Sequence, residues 1–324
     1  MGEAIQPIIP ITRPNRRFKG HVNTVMAVAV FPDGRRMVTS SVENTLRLWD
    51  LKDGVVLKKM EGHRGWVREV AVSGDGQLIA SGDDNGEFIA WDAESGESLT
   101  QAIKGHSSWI CSLDFSADSA TLTTGSWDRK TKLWNTKPWQ LQGDPIDCHA
   151  AVNCVRYSPS RCGELQVLAI ATDKDIQIWN PRTRECTAKF KAAIDSAFNT
   201  SLAWTPDGTR LLSGGSASDP TIREWDTSTW KQAGDPWCGH TDAINVITVN
   251  STGTLVASAS DDKHVRLWRL SNRRTIAVFK HSKTVWCATF SADGKYVFSG
   301  GFHKKISEWA VPEHPLLEAV EVSS

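Results

Sequence analysis

The sequence predicts an all-β fold in which seven similar four-stranded units form a closed ring. Three observations lead to this prediction: seven tryptophans at nearly even intervals, a histidine at a fixed distance before most of them, and short alternating apolar segments between the two. The chain of 324 residues, 40% hydrophobic and 23% charged, has the length and balance of a folded protein with a large core. Repetition at such a period decides the architecture before any local assignment.

Tryptophan is unusually frequent, with 15 residues against two tyrosines, and seven of them follow one another at intervals of 41 to 46 residues. Each ends a short phrase such as TLRLWD (45–50) or IQIWN (176–180), whose period-two alternation predicts a strand. The seven repeat tryptophans are Trp49, Trp91, Trp134, Trp179, Trp225, Trp268 and Trp309.

A histidine lies 28 residues before the tryptophan in five of the seven repeats. It follows a glycine in four of them, whereas Lys280 precedes His281 in the last repeat. Two strands fit between histidine and tryptophan, joined by turns such as PDG (32–34), where glycine supplies the positive φ of a tight hairpin. A further strand leads to the next repeat, as in GVVLKKMEGH (54–63). Each repeat therefore predicts one blade of four antiparallel strands, and seven blades packed around an axis form a β-propeller.

These residues resemble the WD40 repeat family, and the resemblance extends from about Phe18 to Trp309. It implies one propeller domain over residues 1–310, in which residues 4–18 close the ring as the outermost strand of blade 7, followed by a C-terminal extension at 311–324. The prolines of the N-terminal segment suit an outer edge strand. The regular repeats look similar to those of fungal WD40 proteins. Many of those belong to larger NTPase-linked sensor proteins, but the sequence offers no NTPase module that would carry that activity over.

Blades 3 and 6 each hold a histidine, a serine, an aspartate and a tryptophan, a set that could be mistaken for a Ser-His-Asp nucleophile. The resemblance implies instead a buried hydrogen-bond tetrad that ties the strands of a blade together, since buried polar groups persist only when they are satisfied. We therefore predict no catalytic residue. The predicted tetrads are His106, Ser126, Asp128 and Trp134 in blade 3, and His240, Ser260, Asp262 and Trp268 in blade 6.

Three other blades carry substitutions in this pattern. Glu43 stands at the aspartate position of blade 1, and Asn85 stands there in blade 2. Blade 7 has His303 at the aspartate position and Gly301 in place of the serine. These blades are predicted to have incomplete tetrads.

Blades 4 and 5 depart further. Blade 4 has extra residues near SRCGEL (160–165) and Cys148 at the histidine position, whereas blade 5 has no Gly-His pair and an insertion near SASDP (216–220). We expect these two blades to be the least regular part of the ring.

In WD40 proteins, partners bind across one end of the ring, on residues three and five after the histidine and seven before the tryptophan. In this sequence the large apolar and aromatic side chains at these positions, and Arg68, fall in blades 7, 1, 2 and 3, whereas blades 4 to 6 present mostly small polar groups apart from Phe198. Tryptophan and arginine are enriched at interface hot spots, and an exposed apolar arc marks a binding surface. The predicted partner-binding residues are Met26, Trp66, Arg68, Asp84, Trp109, Trp127, Phe198, Trp286 and Phe302.

The predicted function is a non-enzymatic scaffold or adaptor for a protein or peptide, monomeric by itself or part of a complex. A substrate receptor of a ubiquitin ligase is an alternative, because some receptors carry Trp-Asp-x-Arg after the third strand and Trp179-Asn180-Pro181-Arg182 comes near. A nucleic-acid-binding propeller is disfavoured, because Lys plus Arg equals Asp plus Glu at 37 each and Arg68 is the only cation among the face positions. A propeller enzyme lacks a recognisable metal cluster, phosphate loop or carboxylate pair outside the repeats.

The sequence also suggests where the protein resides. Its seven cysteines form no Cys-x-x-Cys pair, so we expect reduced thiols. No apolar run approaches the ~18 residues of a membrane span, and the first residues lack the apolar stretch of a signal peptide. We expect a cytoplasmic or nuclear protein without a cofactor, a metal or a membrane partner.

Overall fold

Seven antiparallel sheets follow one another along the chain in the computed structural model, which describes residues 8–159, 166–191 and 201–313. The innermost strand of each sheet contacts the innermost strands of the two neighbouring sheets, and blade 7 contacts blade 1 in the same way. The predicted seven-bladed β-propeller is therefore confirmed. No helix long and apolar enough to cross a membrane occurs in these three ranges.

In blades 1 to 5 successive strands of the chain lie successively further from the axis, whereas the outermost strands of blades 6 and 7 come from the N-terminal segment. Blade 3 has two short outer strands, which pair with different halves of its third strand. The strands of blade 1 are Val25–Val30, Arg36–Ser41, Thr45–Asp50 and Val56–Glu61. Those of blade 2 are Val67–Val72, Leu78–Asp83, Glu87–Asp92 and Ile103–Lys104. Those of blade 3 are Ile110–Phe115, Thr121–Ser126, Lys130–Asn135, Gln140–Leu141 and Ile146–Asp147.

The remaining blades follow the same plan, with a short inner strand in blade 5. The strands of blade 4 are Val152–Tyr157, Leu168–Thr172, Ile176–Asn180 and Glu185–Phe190. Those of blade 5 are Leu202–Trp204, Arg210–Gly214, Ile222–Asp226 and Lys231–Gln232. Those of blade 6 are Ile244–Val249, Leu255–Ser260, His264–Arg269 and Arg274–Lys280. The first three strands of blade 7 are Val285–Phe290, Tyr296–Gly301 and Lys305–Ala310.

The N-terminal segment contributes to two different blades. Arg16–Lys19 lies antiparallel to Lys305–Ala310 and is the outermost strand of blade 7. Ile9–Ile11 instead runs parallel to Arg274–Lys280 and adds a fifth strand to blade 6. The second strand of the chain and its last described strand thus share the sheet of blade 7, which closes the ring, while the first strand lies in the sheet of blade 6.

The expectation of one closing strand over residues 4–18 is too broad. The closing strand begins only at Arg16, because the chain between the two short strands contains Pro14, which has no N–H to donate to a ladder. Residues 4–7 lie outside the described part of the chain, as do 314–324 of the expected C-terminal extension.

The hydrophobic core lies between neighbouring blades. Phe18 and Phe298 from blade 7 pack with Trp49 from blade 1, and Phe18 meets both other rings edge-on at centroid distances of 5.9 Å. Such edge-to-face contacts add to the stabilisation from burying the apolar surface. Of the repeat tryptophans, only Trp179 is half-buried and the other six are buried. Because the core holds the blades together, the residues that face the axis are available to line a channel.

Six of the seven cysteines lie in the described residues, and all six are free thiols. Cys148, Cys154 and Cys287 are buried. Burial raises the pKa of Cys148 to about 12, so this thiol stays protonated at neutral pH.

Candidate partner-binding face

Six inner strands carry a β-bulge at the same place. In blade 1, Val25 pairs with Ser41 and Ala27 with Ser40, so Met26 is the extra residue between them. A bulge of this kind turns a side chain away from the regular ladder and often occurs beside functional sites. The six extra residues are Met26, Arg68, Cys111, Asn153, Asn245 and Trp286.

These six residues surround one end of a central channel, which we call the mouth. The channel is a cavity of about 770 Å³ lined by the inner strands of all seven blades. Each bulge residue stands at the second position of its inner strand, so all six share one end of the channel. Residues 192–200, which include the predicted binding residue Phe198, lie outside the described residues.

The other two predicted positions of each blade lie side by side next to the bulge. In blade 2, the N–H of Asp84 donates to the carbonyl of Trp66 at 3.1 Å, and in blade 3 that of Trp127 donates to Trp109 at 3.1 Å. The same pairing joins Val42 to Thr24, Asp261 to Ala243 and Phe302 to Thr284. Blade 4 departs by one residue, because Asp173 pairs with Ala151 there and not Thr172, the residue seven before Trp179. The three positions of a blade therefore form one continuous patch at the mouth.

A row of contacting side chains follows the rim of the mouth over three consecutive blades, from blade 2 to blade 4. The guanidinium carbon of Arg68 lies 3.9 Å from the centroid of the Trp109 ring. Trp109 stacks on Trp127 with a centroid distance of 4.4 Å and an angle of 26° between the ring planes. Trp127 Nε1 donates to Asn153 Oδ1 at 3.2 Å. Cation–π and ring contacts of this kind hold large side chains in fixed orientations, as an aromatic binding surface requires.

The rim carries two more aromatic side chains that are well exposed. Trp66 is 50% exposed and Phe302 is 45% exposed. Phe302 leans against the half-buried Trp286, with their centroids 6.0 Å apart. Asp84 Oδ1 accepts the N–H of Trp66 at 2.8 Å, so this predicted binding residue also positions the Trp66 loop. We call the residues Met26, Trp66, Arg68, Asp84, Trp109, Trp127, Trp286 and Phe302 the aromatic arc.

Three charged side chains lie deeper in the channel and were not predicted from the sequence. Arg156 Nη1 donates to Ser112 Oγ at 2.9 Å, and its charge attracts the carboxylates of Glu69 and Asp114. Burial nevertheless raises the pKa of Glu69 to about 7 and that of Asp114 to about 6. These side chains stand six or eight residues after the histidine position, and positions two apart in an inner strand point to the same side. This period of two is the sequence signal that could have identified them as residues that face the channel.

The raised pKa of Glu69 gives a testable effect of pH on stability. The folded protein binds a proton at Glu69 more tightly than the unfolded chain, whose pKa is near 4.5, so the ionised side chain destabilises the fold above about pH 7. We expect Glu69→Gln to raise the free energy of unfolding by roughly 2–3 kcal/mol near pH 8, and the gain to shrink as the pH falls towards 4.5. Urea denaturation over this range measures the effect.

The control is Glu94→Gln, since the Glu94 side chain is 91% exposed. It should change stability little and equally at each pH. A Glu69→Gln gain that does not decrease on acidification would contradict burial as the cause of the raised pKa.

The buried tetrad of blade 3 is built around a threonine. His106 Nε2 lies 2.7 Å from Thr124 Oγ1, and Trp134 Nε1 donates to the same oxygen at 3.0 Å. His106 Nδ1 lies 2.9 Å from Asp128 Oδ2. Burial lowers the pKa of His106, so the ring is neutral at pH 7 and can donate from Nδ1 while accepting the threonine proton at Nε2. Thr124 is thus the hub that joins the histidine and the tryptophan.

The prediction that Ser126 is the hydroxyl member of this tetrad is wrong. Leu122 lies opposite Trp134 and Thr124 opposite Lys132, so Thr124 is the diagonal neighbour of the tryptophan on the same face of the sheet. Ser126 is two residues, or about 7 Å, further along the strand than Thr124, and it does not accept the indole N–H. Its hydroxyl donates instead to the carbonyl of Ser108 at 3.2 Å.

Blade 6 repeats this arrangement and requires the same correction. Ser258 Oγ lies 2.7 Å from His240 Nε2 and accepts the Trp268 Nε1 proton at 2.8 Å, whereas Ser260 donates to a backbone carbonyl. His240 Nδ1 lies 2.7 Å from Asp262 Oδ2. Although burial opposes it, the hydrogen bond from His240 lowers the pKa of Asp262 to about 2. The aspartate therefore remains ionised and fixes the histidine ring.

Blades 1, 2 and 7 contain the same hub, which the sequence pattern had suggested was incomplete. The hub hydroxyls are those of Thr39, Ser81 and Ser299. In blade 1, Glu43 Oε1 lies 2.6 Å from the histidine Nδ1, and in blade 2 Asp83 takes that place at 3.0 Å, not Asn85. In blade 7, His303 Nε2 takes the place of the carboxylate and lies 2.7 Å from His281 Nδ1. Gly301 does not interrupt this network, because the hydroxyl comes from Ser299, two residues earlier in the strand.

Blades 4 and 5 use other partners among the described residues. In blade 4, Trp179 Nε1 donates to Gln177 Oε1 at 3.0 Å, and in blade 5, Trp225 Nε1 donates to Ser213 Oγ at 2.9 Å. Neither blade has a histidine in contact with its repeat tryptophan in the ranges that the structure describes. The tryptophan N–H is thus satisfied in all seven blades, while the histidine hub belongs to five.

Comparison with known proteins agrees with this architecture. The family model described as "WD domain, G-beta repeat" matches six stretches of the chain. The matched residues are 12–50, 54–92, 97–135, 184–226, 235–269 and 273–309. The first three strands of blade 4, which has a cysteine in the histidine position, fall between the third and fourth matches.

Several curated relatives are similar at low identity. Protein FIZZY-RELATED 1 of Arabidopsis thaliana is 25% identical over 76% of this chain and 51% of its own length. Anaphase-promoting complex subunit cdc20 of Dictyostelium discoideum is 24% identical over 74% of this chain and 47% of its own length. Autophagy-related protein 16 of Arabidopsis thaliana is 23% identical over 94% of this chain and 59% of its own length. The chain spans about half the length of these relatives. Because the repeat model matches more than half of its residues, this chain belongs to the WD40 family.

Proposed function

We propose that the chain is a non-enzymatic adaptor that captures a protein segment on the aromatic arc. The observation that supports this most is the coincidence of six bulges around one mouth with exposed aromatic side chains on its rim. Trp66 and Phe302 expose apolar surface to water in the free protein, and a partner that covers them would gain the free energy of burying that surface. A rigid stack behind them reduces the entropy lost on binding.

The opposite side of the mouth is less suited to an apolar contact. Asn245 Nδ2 donates to Asp261 Oδ1 at 2.8 Å and to the carbonyl of Val285 at 2.9 Å, so these polar groups already satisfy one another. A partner that contacts the arc would gain apolar burial there and little on the side of blades 4 to 6. We therefore expect the partner to lie across blades 7, 1, 2 and 3.

The double variant Trp66→Ala/Phe302→Ala tests this proposal. Truncating a hot-spot side chain costs about 2 kcal/mol or more of binding free energy, so partner recovery should fall by at least about tenfold. The free energy of unfolding should change little, because both side chains are about half exposed. Affinity capture from native lysate with quantitative mass spectrometry measures recovery, and thermal denaturation measures stability.

The matched control is Leu99→Ala/Leu141→Ala. These leucines are 50% and 41% exposed but lie beside the outer strands of blades 2 and 3, away from the mouth. The control should retain its partners. Equal recovery by the parent and the Trp66/Phe302 variant would place the binding surface elsewhere.

Membership of a multi-subunit assembly is a second candidate, and the name of the Dictyostelium relative, which calls that protein a complex subunit, favours it. The related hypothesis of a ubiquitin-ligase receptor depends on Trp179-Asn180-Pro181-Arg182. There, Asn180 Oδ1 accepts the N–H groups of Arg182 and Thr183 at 2.9 and 3.2 Å, which is a local turn-stabilising role. Sedimentation of the native protein from lysate would distinguish the two candidates, since an assembly subunit would migrate far above 35.7 kDa.

A further inference from the structure

The hub of blade 7 has two histidines where the other hubs have a histidine and an acid. His281 Nδ1 lies 2.7 Å from His303 Nε2, and the two rings stack with their centroids 4.8 Å apart and 27° between their planes. We call His281 and His303 the histidine pair. In the other four described hubs this nitrogen faces a carboxylate, and those acids are Glu43, Asp83, Asp128 and Asp262. At this position blade 7 therefore lacks the negative charge that fixes the histidine elsewhere.

A single proton joins the two rings of the histidine pair. Ring nitrogens 2.7 Å apart form a hydrogen bond because one carries a proton and the other offers a lone pair. One additional proton gives the pair a positive charge, and a second places N–H against N–H and breaks the contact. His303 Nδ1 is closed off from solvent, so water does not stabilise a charge there. Both steps therefore disfavour the closed arrangement in acid.

The groups around the histidine pair are mostly basic. They are Arg17 and Lys19 from the closing strand, Lys304 and Lys305 after His303, Lys283 after His281, and Lys263, His264 and Lys280 from blade 6. Blade 1 packs on blade 7 through Val25–Val30, which contains no charged residue. The Asp262 carboxylate of blade 6 is already engaged, at 2.7 Å from His240 Nδ1 and 3.3 Å from His264 Nδ1. A proton on the pair therefore meets like charges and gains no free counter-ion from these groups.

The histidine pair lies where the ring closes. His281 directly follows Arg274–Lys280, the fourth strand of blade 6. His303 lies in the turn before Lys305–Ala310, and that strand pairs with Arg16–Lys19, the closing strand. The contact between the two rings thus holds the turn that leads into the partner of the closing strand. Its loss would free this turn and weaken the closure of blade 7.

We propose that the histidine pair is an acid-sensitive clasp, which keeps blade 7 closed at neutral pH and releases the closing strand in mild acid. Burial and the neighbouring positive charges lower the pKa of His281 to about 3 and that of His303 to about 4, from an ordinary value of 6.5. In the open blade both rings meet water, so the open form binds protons more tightly than the closed form. Acid therefore favours opening below about pH 6.5, by up to about tenfold per pH unit for each ring, until the closed form is itself protonated near pH 4.

Hydrogen exchange of the intact chain at about pH 7 and about pH 5 tests the clasp. Mass spectrometry measures the exchange, which is corrected for its intrinsic dependence on pH. The opening equilibrium constant of the closing strand should rise by at least about a hundredfold between these pH values, since two rings take up protons. The reference is Glu185–Phe190, the outer strand of blade 4, where Trp179 donates to Gln177 and not to a histidine hub. Its opening should stay within about threefold.

The variant His303→Asp gives blade 7 the carboxylate of the other hubs. Opening of its closing strand should rise by at most about thirtyfold over the same range, because of the two hub residues only His281 then titrates there. The matched control is His149→Gln in blade 4, which removes a histidine whose side chain is 80% exposed and should respond as the parent does.

Two results would overturn the proposal. One is a closing strand that opens no further in acid than the reference strand, and the other is a His303→Asp variant that opens as far as the parent. The comparison of the two strands is made within the parent protein, so it decides the question even where the variant fails to fold.

Discussion

Replacing Ser258 by alanine should lower the free energy of unfolding by about 2–4 kcal/mol. The Ser258 hydroxyl lies 2.7 Å from His240 Nε2 and 2.8 Å from Trp268 Nε1, and its side chain is fully buried. Alanine is nearly isosteric with serine, so packing is preserved while two ring nitrogens lose their partner where water cannot replace it. The shift of the urea midpoint at constant slope measures the loss.

Two serines of the same blade serve as controls. Ser260 also makes two hydrogen bonds, to Asp242 O and from Asp262 N, but both are only partly buried, so Ser260→Ala should cost less than Ser258→Ala. Ser251 is exposed, and its replacement should change stability by less than about 0.5 kcal/mol. A larger loss at Ser260 than at Ser258 would contradict the assignment of the hub.

Gly86→Ala should destabilise the propeller by about 3 kcal/mol or more. Gly86 has a φ of +75°, and a Cβ atom there would lie 2.4 Å from His106 O and 2.5 Å from Ser108 O. Both contacts are to backbone atoms, which cannot rotate away as a side chain can. The carbonyl of Gly86 also accepts the His106 N–H at 3.0 Å, so the clash would separate blade 2 from blade 3.

Gly34→Ala is the control for the cost of the backbone conformation alone. Gly34 has a similar φ of +66°, but the nearest atom to its Cβ position is a side-chain carbon of Ala292 at 3.4 Å. We expect a loss of about 1–2 kcal/mol from the left-handed conformation. The difference between the two variants measures the clash, and equal losses in chemical denaturation would show that the blades separate freely at this point.

The architecture follows from local sequence because each blade is a local unit. The spacing from His240 to Trp268 recurs in other repeats because the strands and turns between the two residues have a fixed length. The turn at residues 251–253 contains the glycine that such a hairpin needs. Neighbouring copies of such a unit can bury their faces only against one another. The ring was therefore predictable from repetition without knowledge of any contact.

Other features depend on contacts that the sequence pattern does not specify. Ser258 and Ser260 lie on the same face of one strand. Only the position of the Trp268 indole N–H on the neighbouring strand determines that it donates to Ser258. The parallel pairing of Ile9–Ile11 with blade 6 joins segments that are remote in sequence. The unsatisfied donors of Arg68 and Trp286 become visible only when every neighbour of the mouth is placed.

The placement of Arg16–Lys19 in blade 7 has a consequence for the order of events during synthesis. This segment is synthesised well before its neighbour Lys305–Ala310, because the Arg16–Glu308 contact spans 292 residues. Domains generally fold from the N-terminus as they are made, but contacts of such long range form slowly. Six blades can therefore assemble as an open arc on the ribosome, while Arg16–Lys19 keeps an unpaired edge until Lys305–Ala310 has been synthesised.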